Sequence, residues 1–296
     1  MILKEFIFYE IIKFGKGIKT MNRFLDMFSL EGKKVVITGG TGVLGSAIAQ
    51  GLGKAGAEIA ICARSLEKAD NIVLRLQSEG IKARGYYINA MDIEKIKICR
   101  DEVMRDFGKV DILLNAVGGN IKEATTSEEL TFFDLPISAL EKVVALNLFG
   151  GALLPSQVFG KDMIKNEDGG SIINISSMNA FRPLTRIPGY SAAKAAVSNF
   201  TQWLAVHFAQ EYNKKLRVNA IAPGFFLTSQ NRFLLTKEDG SLTPRGKTII
   251  THTPMEKFGE PQDLISACIW LASDASRFVT GIIVPIDGGF SAFSGV

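Results

Sequence analysis

A β-branched run, Lys33–Thr38, is followed at once by Gly39-Gly-Thr-Gly-Val-Leu-Gly45 and then by helical spacing from about Ser46 to Ala55. Strand, glycine turn and helix in that order leave helix N-terminal N–H groups facing the turn, an arrangement suited to a pyrophosphate. Glycine clusters also serve plain turns, so the position after the first strand is what gives this one weight. The alternation then continues. Strands are expected at Glu58–Ala63, Ile81–Ile88, Asp111–Leu114, 171–176, 216–221 and 282–286, and helices at Leu66–Glu79, Ile93–Phe107, 137–165, 190–212 and 261–272. Strands alternating with helices predict an α/β fold, a three-layer, doubly wound parallel sheet of about seven strands in a single domain.

The 296 residues are 47% hydrophobic and 22% charged, an ordinary globular balance with ample core. A net charge of +4, evenly spread, offers no basic stripe for nucleic acid. Cys62, Cys99 and Cys268 lie far apart without metal-ligand spacing and read as reduced, buried thiols of an intracellular, cytoplasmic protein. His207 and His252 are the only histidines, which excludes a histidine-rich metal site. Met1–Phe14 is apolar but interrupted by Lys4, Glu5, Glu10 and Lys13, so it reads as neither a signal peptide nor a membrane span. Residues 1–27 are read as an N-terminal extension, with Met1–Thr20 dispensable and translated from upstream of a start at Met21. An amphipathic partner-binding helix is the alternative. The domain is expected over residues 28–296.

Two connections, about 116–136 and 225–260, are longer than compact domains usually need, and both follow the carboxyl ends of strands, where such folds place ligands. The second carries Gln230, Asn231, Arg232, Arg245, His252 and Met255, and 225–256 is read as a substrate lid. The chemistry centres on Ser177–Lys194. Tyr190 and Lys194 are four apart on one helix face, and Ser177 ends the apolar run before them. A free tyrosine, with a pKa of about 10, is a poor acid–base group at neutral pH. A lysine ammonium one turn away is expected to lower that value, and a serine hydroxyl to hold a carbonyl oxygen in line. This trio suits proton transfer to a carbonyl oxygen during hydride transfer.

Together the glycine turn, Asn115–Gly118, Asn147, Ser177, Tyr190, Lys194 and Pro223-Gly224 followed by Thr228 resemble the short-chain dehydrogenase/reductase family over residues 28–296. The resemblance implies a Rossmann fold, a nicotinamide cofactor and a Ser–Tyr–Lys site. Tyr190 would be the acid–base, Lys194 would bind the nicotinamide ribose and depress the tyrosine pKa, Ser177 would orient the substrate, and Asn147 would support a proton-relay water. Cofactor contacts would come from Gly39, Thr41, Val43, Leu44, Gly45, Arg64, Ser65, Asn89, Ala90, Asn115, Ala116, Gly118, Tyr190, Lys194, Pro223, Gly224, Phe226 and Thr228. The match has departures. Val43 stands at the middle glycine position, the usual Asn-Asn-Ala-Gly turn reads Asn115-Ala116-Val117-Gly118, and Asn89 replaces an adenine-contacting aspartate.

Segments such as Ser177-Met-Asn-Ala-Phe-Arg-Pro and Pro223-Gly-Phe-Phe-Leu-Thr-Ser-Gln-Asn-Arg232 are similar to those of the family's D-mannonate oxidoreductases, also called fructuronate reductases. That implies reversible reduction of D-fructuronate to D-mannonate in hexuronate catabolism. The substrate carboxylate wants an arginine, and Arg182, Arg186 and Arg232 are candidates. Asn120, Asn179 and Gln230 could read sugar hydroxyls or cap loops. At the second strand's end Ala63 occupies the usual acidic position and Arg64-Ser65 follow, which favours NADP(H) over NAD(H), although a catabolic role argues for NAD(H). Other readings are a reductase of another keto acid, such as 5-ketogluconate, and a silent nucleotide-sensing scaffold. No membrane partner is expected. The resemblance implies a homotetramer built partly on the 190–212 helix and the C-terminal segment, with Phe290 and Phe293 buried against a neighbour.

Overall fold

The computed structural model describes residues 25–228 and 232–295. Its strands are β1 (Lys34–Thr38), β2 (Glu58–Ala63), β3 (Ala83–Tyr87), β4 (Ile112–Asn115), β5 (Gly170–Ile175), β6 (Leu216–Pro223) and β7 (Ile283–Ile286). They form one parallel sheet in the order β3-β2-β1-β4-β5-β6-β7. Covered on both faces, the strands read as near-continuous apolar runs. Alternate residues divide between two cores. Val35, Ile37, Ile59 and Ile61 face α1 (Val43–Lys54), α2 (Leu66–Ser78) and α8 (Ile265–Ala272). Val36, Ala60, Cys62 and Leu113 face α3 (Ile93–Phe107), α4 (Ile137–Met163) and α5 (Pro188–Glu211). Strand order reverses direction where β1 meets β4, which opens a crevice at the carboxyl ends of the strands.

The expected three-layer architecture is thus present, with differences in detail. Helix α1 starts at Val43, three residues before the expected Ser46, because Gly42 serves as its N-cap. The long excursion after β6 carries two short helices, α6 (Arg232–Leu235) and α7 (Pro244–Thr251). Gln230 and Asn231 lie outside the described residues, as does most of the expected N-terminal extension. The Met27 carbonyl accepts the Ala275 N–H at 3.0 Å, so contact with the fold begins before Phe28.

By length and composition alone α4 could cross a membrane. In the fold its Phe159 and Met163 are fully buried in the second core. Its middle, Ala145–Leu153, has π geometry, a local widening that often marks functional positions. Gly150 and Gly151 let this segment press on the strand ends. A Cβ on Gly151 would stand 2.6 Å from the Val117 carbonyl oxygen, and one on Gly150 would stand 3.1 Å from that of Ala90.

A buried polar ladder crosses the same face. The Asn115 Nδ2 donates to Ser156 Oγ at 3.0 Å and to Asn174 Oδ1 at 2.9 Å. Asn174 Nδ2 donates in turn to Thr201 Oγ1 at 2.9 Å. These bonds fix α4 and α5 against β4 and β5 at the level where the site begins. Gly151→Ala should push α4 away from the turn after β4 and lower stability by about 1–3 kcal/mol. Thermal unfolding checks this, and a wild-type midpoint would contradict the tight approach.

Candidate active site

Ser177 follows β5 in extended backbone and caps a single turn, Met178–Ala180. The chain then loops to Pro188, which occupies the start of α5, where its fixed φ fits and its missing N–H is harmless. Tyr190 therefore sits in the first turn of α5 and Lys194 one turn later. Arg186, just before the helix, has φ of 74°, an uncommon conformation for a non-glycine residue. Its carbonyl accepts the Thr126 N–H at 2.8 Å, which joins the long loop after β4 to the loop between Ser177 and Tyr190, the candidate catalytic loop.

Lys194 is buried, and its Nζ donates to the Ile175 carbonyl at 2.7 Å while standing 5.7 Å from the centroid of the Tyr190 ring. Burial pushes its ammonium down to about 8. Tyr190 departs from expectation. Burial raises its phenol above the ordinary value, opposed by a hydrogen bond from Ser177. The expected lowering by Lys194 does not appear, because the ammonium lies over the ring and is bonded to a carbonyl. Tyr190 is thus a protonated acid at neutral pH, while Lys194 titrates nearer to it. Next door, Ser176 donates to the Lys194 carbonyl at 3.2 Å and lies 2.7 Å from Ser198 Oγ, anchoring the first turns of α5 on β5.

Asn147 lies in the π segment of α4, fully buried. Its Nδ2 donates to the carbonyls of Gly119 at 2.7 Å and Val143 at 2.8 Å, and its Oδ1 accepts the Gly119 N–H at 3.1 Å. A Cβ on Gly118 would meet Asn147 Oδ1 at 2.7 Å and Lys194 Nζ at 3.1 Å. The turn after β4, Asn147 and Lys194 are therefore brought together.

The crevice fits a dinucleotide. Gly39 adopts φ of 69° with its would-be Cβ 2.7 Å from the Ala116 carbonyl oxygen, and Gly45 packs on Gly39. Helix α1 has no side-chain cap and no acidic residue in its first turn, so Val43, Leu44 and Gly45 offer a helix N-terminus suited to phosphate. Thr41 is in the same turn. Arg64 is exposed beyond the buried Ala63, and Ser65 caps α2 by accepting the Lys68 N–H at 3.3 Å. Asn89 and Ala90 follow β3, and the Asn89 Oδ1 accepts the Met91 N–H at 3.2 Å. Pro223 closes β6, with Gly224 pressed against Asp287 and Phe226 buried; Thr228 follows.

Several polar side chains expected at the ligand are instead engaged by the protein. Asn115, read as a cofactor contact, is fully buried in the polar ladder, so its amide NH2 does not face the crevice. Asn120 Nδ2 donates to Thr125 Oγ1 at 2.8 Å and to the Ile121 carbonyl at 3.2 Å, the loop-capping alternative. Asn179 is buried with its carboxamide inside the catalytic loop. Arg182 donates from Nε to the Ser291 carbonyl at 3.2 Å, which ties the C-terminal tail to the catalytic loop. Phe290 and Phe293, expected against a neighbour, are half-buried within their own chain. Phe290 packs edge-on to Phe225 at 5.2 Å and Phe293 lies 6.5 Å from His252. Arg232 is exposed at the start of α6. Sequence reasoning missed Ser176, Asn174 and Thr201. The lone asparagine in the apolar run 171–175 was the available signal.

A family model described as short chain dehydrogenase matches residues 33–239. An uncharacterised oxidoreductase of Bacillus subtilis, UxuB, is 47% identical over 277 residues, covering 90% of this chain and 98% of the relative. The 5-keto-D-gluconate 5-reductase of Escherichia coli K12 is 34% identical over 264 residues, covering 89% and 97%. Among solved structures, a provisionally named D-mannonate oxidoreductase of Haemophilus influenzae with bound NAD is 48% identical, with TM-score 0.85 and coverage of 90% and 98%. A Burkholderia cenocepacia gluconate 5-dehydrogenase in complex with NADP and tartrate is 30% identical, with TM-score 0.80 and coverage of 91% and 99%.

With Lys194 losing its charge at about 8 and Tyr190 protonated beyond that, keto reduction should hold level below pH 8 and decline above it. A kcat/KM profile for reduction that stays flat to about pH 10 would contradict the role of the ammonium. Fold, site and relatives agree: the chain belongs to the short-chain dehydrogenase/reductase family and is an NAD(P)-dependent oxidoreductase acting on CH–OH groups.

Proposed function

We propose that the chain interconverts a keto sugar acid and its alcohol, D-fructuronate and D-mannonate, by hydride transfer coupled to proton transfer at Tyr190. The observation that carries this reading is the complete Ser177, Tyr190 and Lys194 set together with 48% identity along nearly all of a chain provisionally named D-mannonate oxidoreductase. A bound nicotinamide supplies the hydride for reduction and accepts it in oxidation. Ser177 donates to the keto oxygen and holds it beside Tyr190. Tyr190 delivers its proton as that oxygen gains negative charge, a step worth about 100- to 10,000-fold in rate. Lys194 would hold the nicotinamide ribose, with its ammonium beside the ring of Tyr190. Asn147 braces the Gly118-Gly119 turn that borders both.

The substrate carboxylate would be met by Arg186 or Arg232, with Arg182 holding the tail beside them. A second reading, reduction of 5-keto-D-gluconate, draws on the relative of that activity at 34% identity. For the cofactor, the exposed Arg64 after Ala63 supports NADP(H), since a guanidinium suits a 2′-phosphate and no carboxylate stands there for the 2′-hydroxyl. The NAD bound by the 48% identical neighbour supports the opposite choice. For assembly, the outer face of α5 supports pairing of two copies toward the expected tetramer. Phe200, Trp203, His207 and Tyr212 form an aromatic stripe there beside a cavity of about 590 Å³ against α4, and Trp203 is 56% exposed.

A panel of D-mannonate, D-fructuronate, 5-keto-D-gluconate and related polyols with both cofactors tests these readings. Turnover is expected with the fructuronate pair, and activity on 5-keto-D-gluconate alone would overturn that choice. Arg64→Ala should lower kcat/KM for NADPH by about tenfold, the equivalent of ~1.4 kcal/mol, while leaving NADH nearly unchanged. A wild-type enzyme with strong NADH preference would sink the Arg64 argument.

A further inference from the structure

Asn179 is the side chain of the catalytic loop that touches both of its ends. It is 6% exposed, and so are Ser177 and Ser191. The Leu184 N–H donates to Asn179 Oδ1 at 2.9 Å, and the Ser191 hydroxyl donates to the same oxygen at 3.2 Å. A backbone N–H can only donate, so the atom facing Leu184 must be the carbonyl oxygen, and the NH2 group is turned toward Ser177. There Asn179 Nδ2 lies 3.4 Å and its backbone N 3.2 Å from Ser177 Oγ, both as donors. A serine hydroxyl has two lone pairs and one proton. With N–H groups aimed at its lone pairs, the proton of Ser177 is directed the other way, to Tyr190 and the reacting oxygen.

We propose that Asn179 is a positioning residue of the hydride-transfer site, which fixes Ser177 as a donor toward the reacting oxygen and ties it to the turn of α5 that carries Tyr190. The proposal rests on the assignment of Ser177 and Tyr190 to the reaction. It replaces the expected role of Asn179 in reading sugar hydroxyls. The hydrogen bond from Ser177 that opposes the upward push of burial on the Tyr190 phenol is the interaction Asn179 maintains.

Asn179→Asp separates this from a packing role, because the shape is kept and an oxygen still faces Leu184 and Ser191. The donor to Ser177 becomes an acceptor, which draws the serine proton back into the loop, and the added carboxylate charge acts on Tyr190 whether or not Ser177 is present. The test compares wild type, Asn179→Asp, Ser177→Ala and the double variant in full-length protein. One readout needs no substrate: the ionisation of Tyr190, followed by NMR of protein labelled with [ζ-13C]tyrosine. The other is NADH- and NADPH-dependent reduction of D-fructuronate and 5-keto-D-gluconate. Asn179→Asp should move Tyr190 ionisation to higher pH and lower kcat by about one to two orders of magnitude, less than the roughly 100- to 1000-fold of removing a donor that itself touches the developing oxyanion. Cofactor KM should change by less than about twofold, and turnover should recover partly at acid pH, where the introduced carboxyl is protonated and donates again.

In the Ser177→Ala background the effect of Asn179→Asp should shrink markedly, because the two act through one bond. An undiminished effect there, or wild-type ionisation and turnover in Asn179→Asp, overturns the proposal. If Ser177→Ala itself changes neither readout, the Ser–Tyr–Lys assignment fails instead.

Discussion

A buried ammonium is the most demanding feature of this molecule. Taking an isolated charge out of water costs several kcal/mol even after relaxation, so the fold must meet Lys194 with fixed dipoles. It does so with the Ile175 carbonyl at 2.7 Å and the face of Tyr190. That carbonyl is available because β5 ends there, and Lys194 reaches it because Ser176 pins the first turns of α5 to the same strand end. The depressed lysine and elevated tyrosine follow from one cause, exclusion of water, acting with opposite sign on a cation and on a neutral acid.

The surrounding geometry reads as support for that arrangement. The ladder from Ser156 through Asn115 and Asn174 to Thr201 sets the depth of α4 and α5 on the sheet. Each bond is modest, but together they set both helices on the sheet, with the buried Asn115 Oδ1 left without a partner among the described residues. Above it, the π segment of α4 carries Asn147 against Gly119 and lets Gly151 touch Val117. The long segment after β6 and the C-terminal tail meet through Phe225 with Phe290 and His252 with Phe293, while Arg182 links the tail to the loop between Ser177 and Tyr190.

Much of this was legible in the sequence. Apolar runs bounded by glycines located the strands, since a doubly covered sheet leaves little choice of residue. The spacing of Tyr190 and Lys194 gave their shared face because helix geometry is local. What the sequence could not show is where side chains with several possible partners turn. Asn115, Asn120 and Asn179 each resembled a ligand contact, yet their carboxamides bond to the chain itself, Asn115 across the sheet and to α4 and the other two within loops. The tyrosine pKa shift was misjudged for the same reason. Its sign follows from burial, and the carbonyl at the end of β5 that takes Nζ was not visible from helix spacing.

The central claim is that Tyr190 transfers the proton while other residues hold the cofactor and the substrate oxygen. Tyr190→Phe removes one hydroxyl and keeps the ring beneath Lys194. The most direct measurement titrates this variant with NADH and NADPH by fluorescence and assays it for keto reduction. The account predicts cofactor affinity close to wild type with turnover reduced by at least about a hundredfold. Retained turnover alongside normal binding would contradict it.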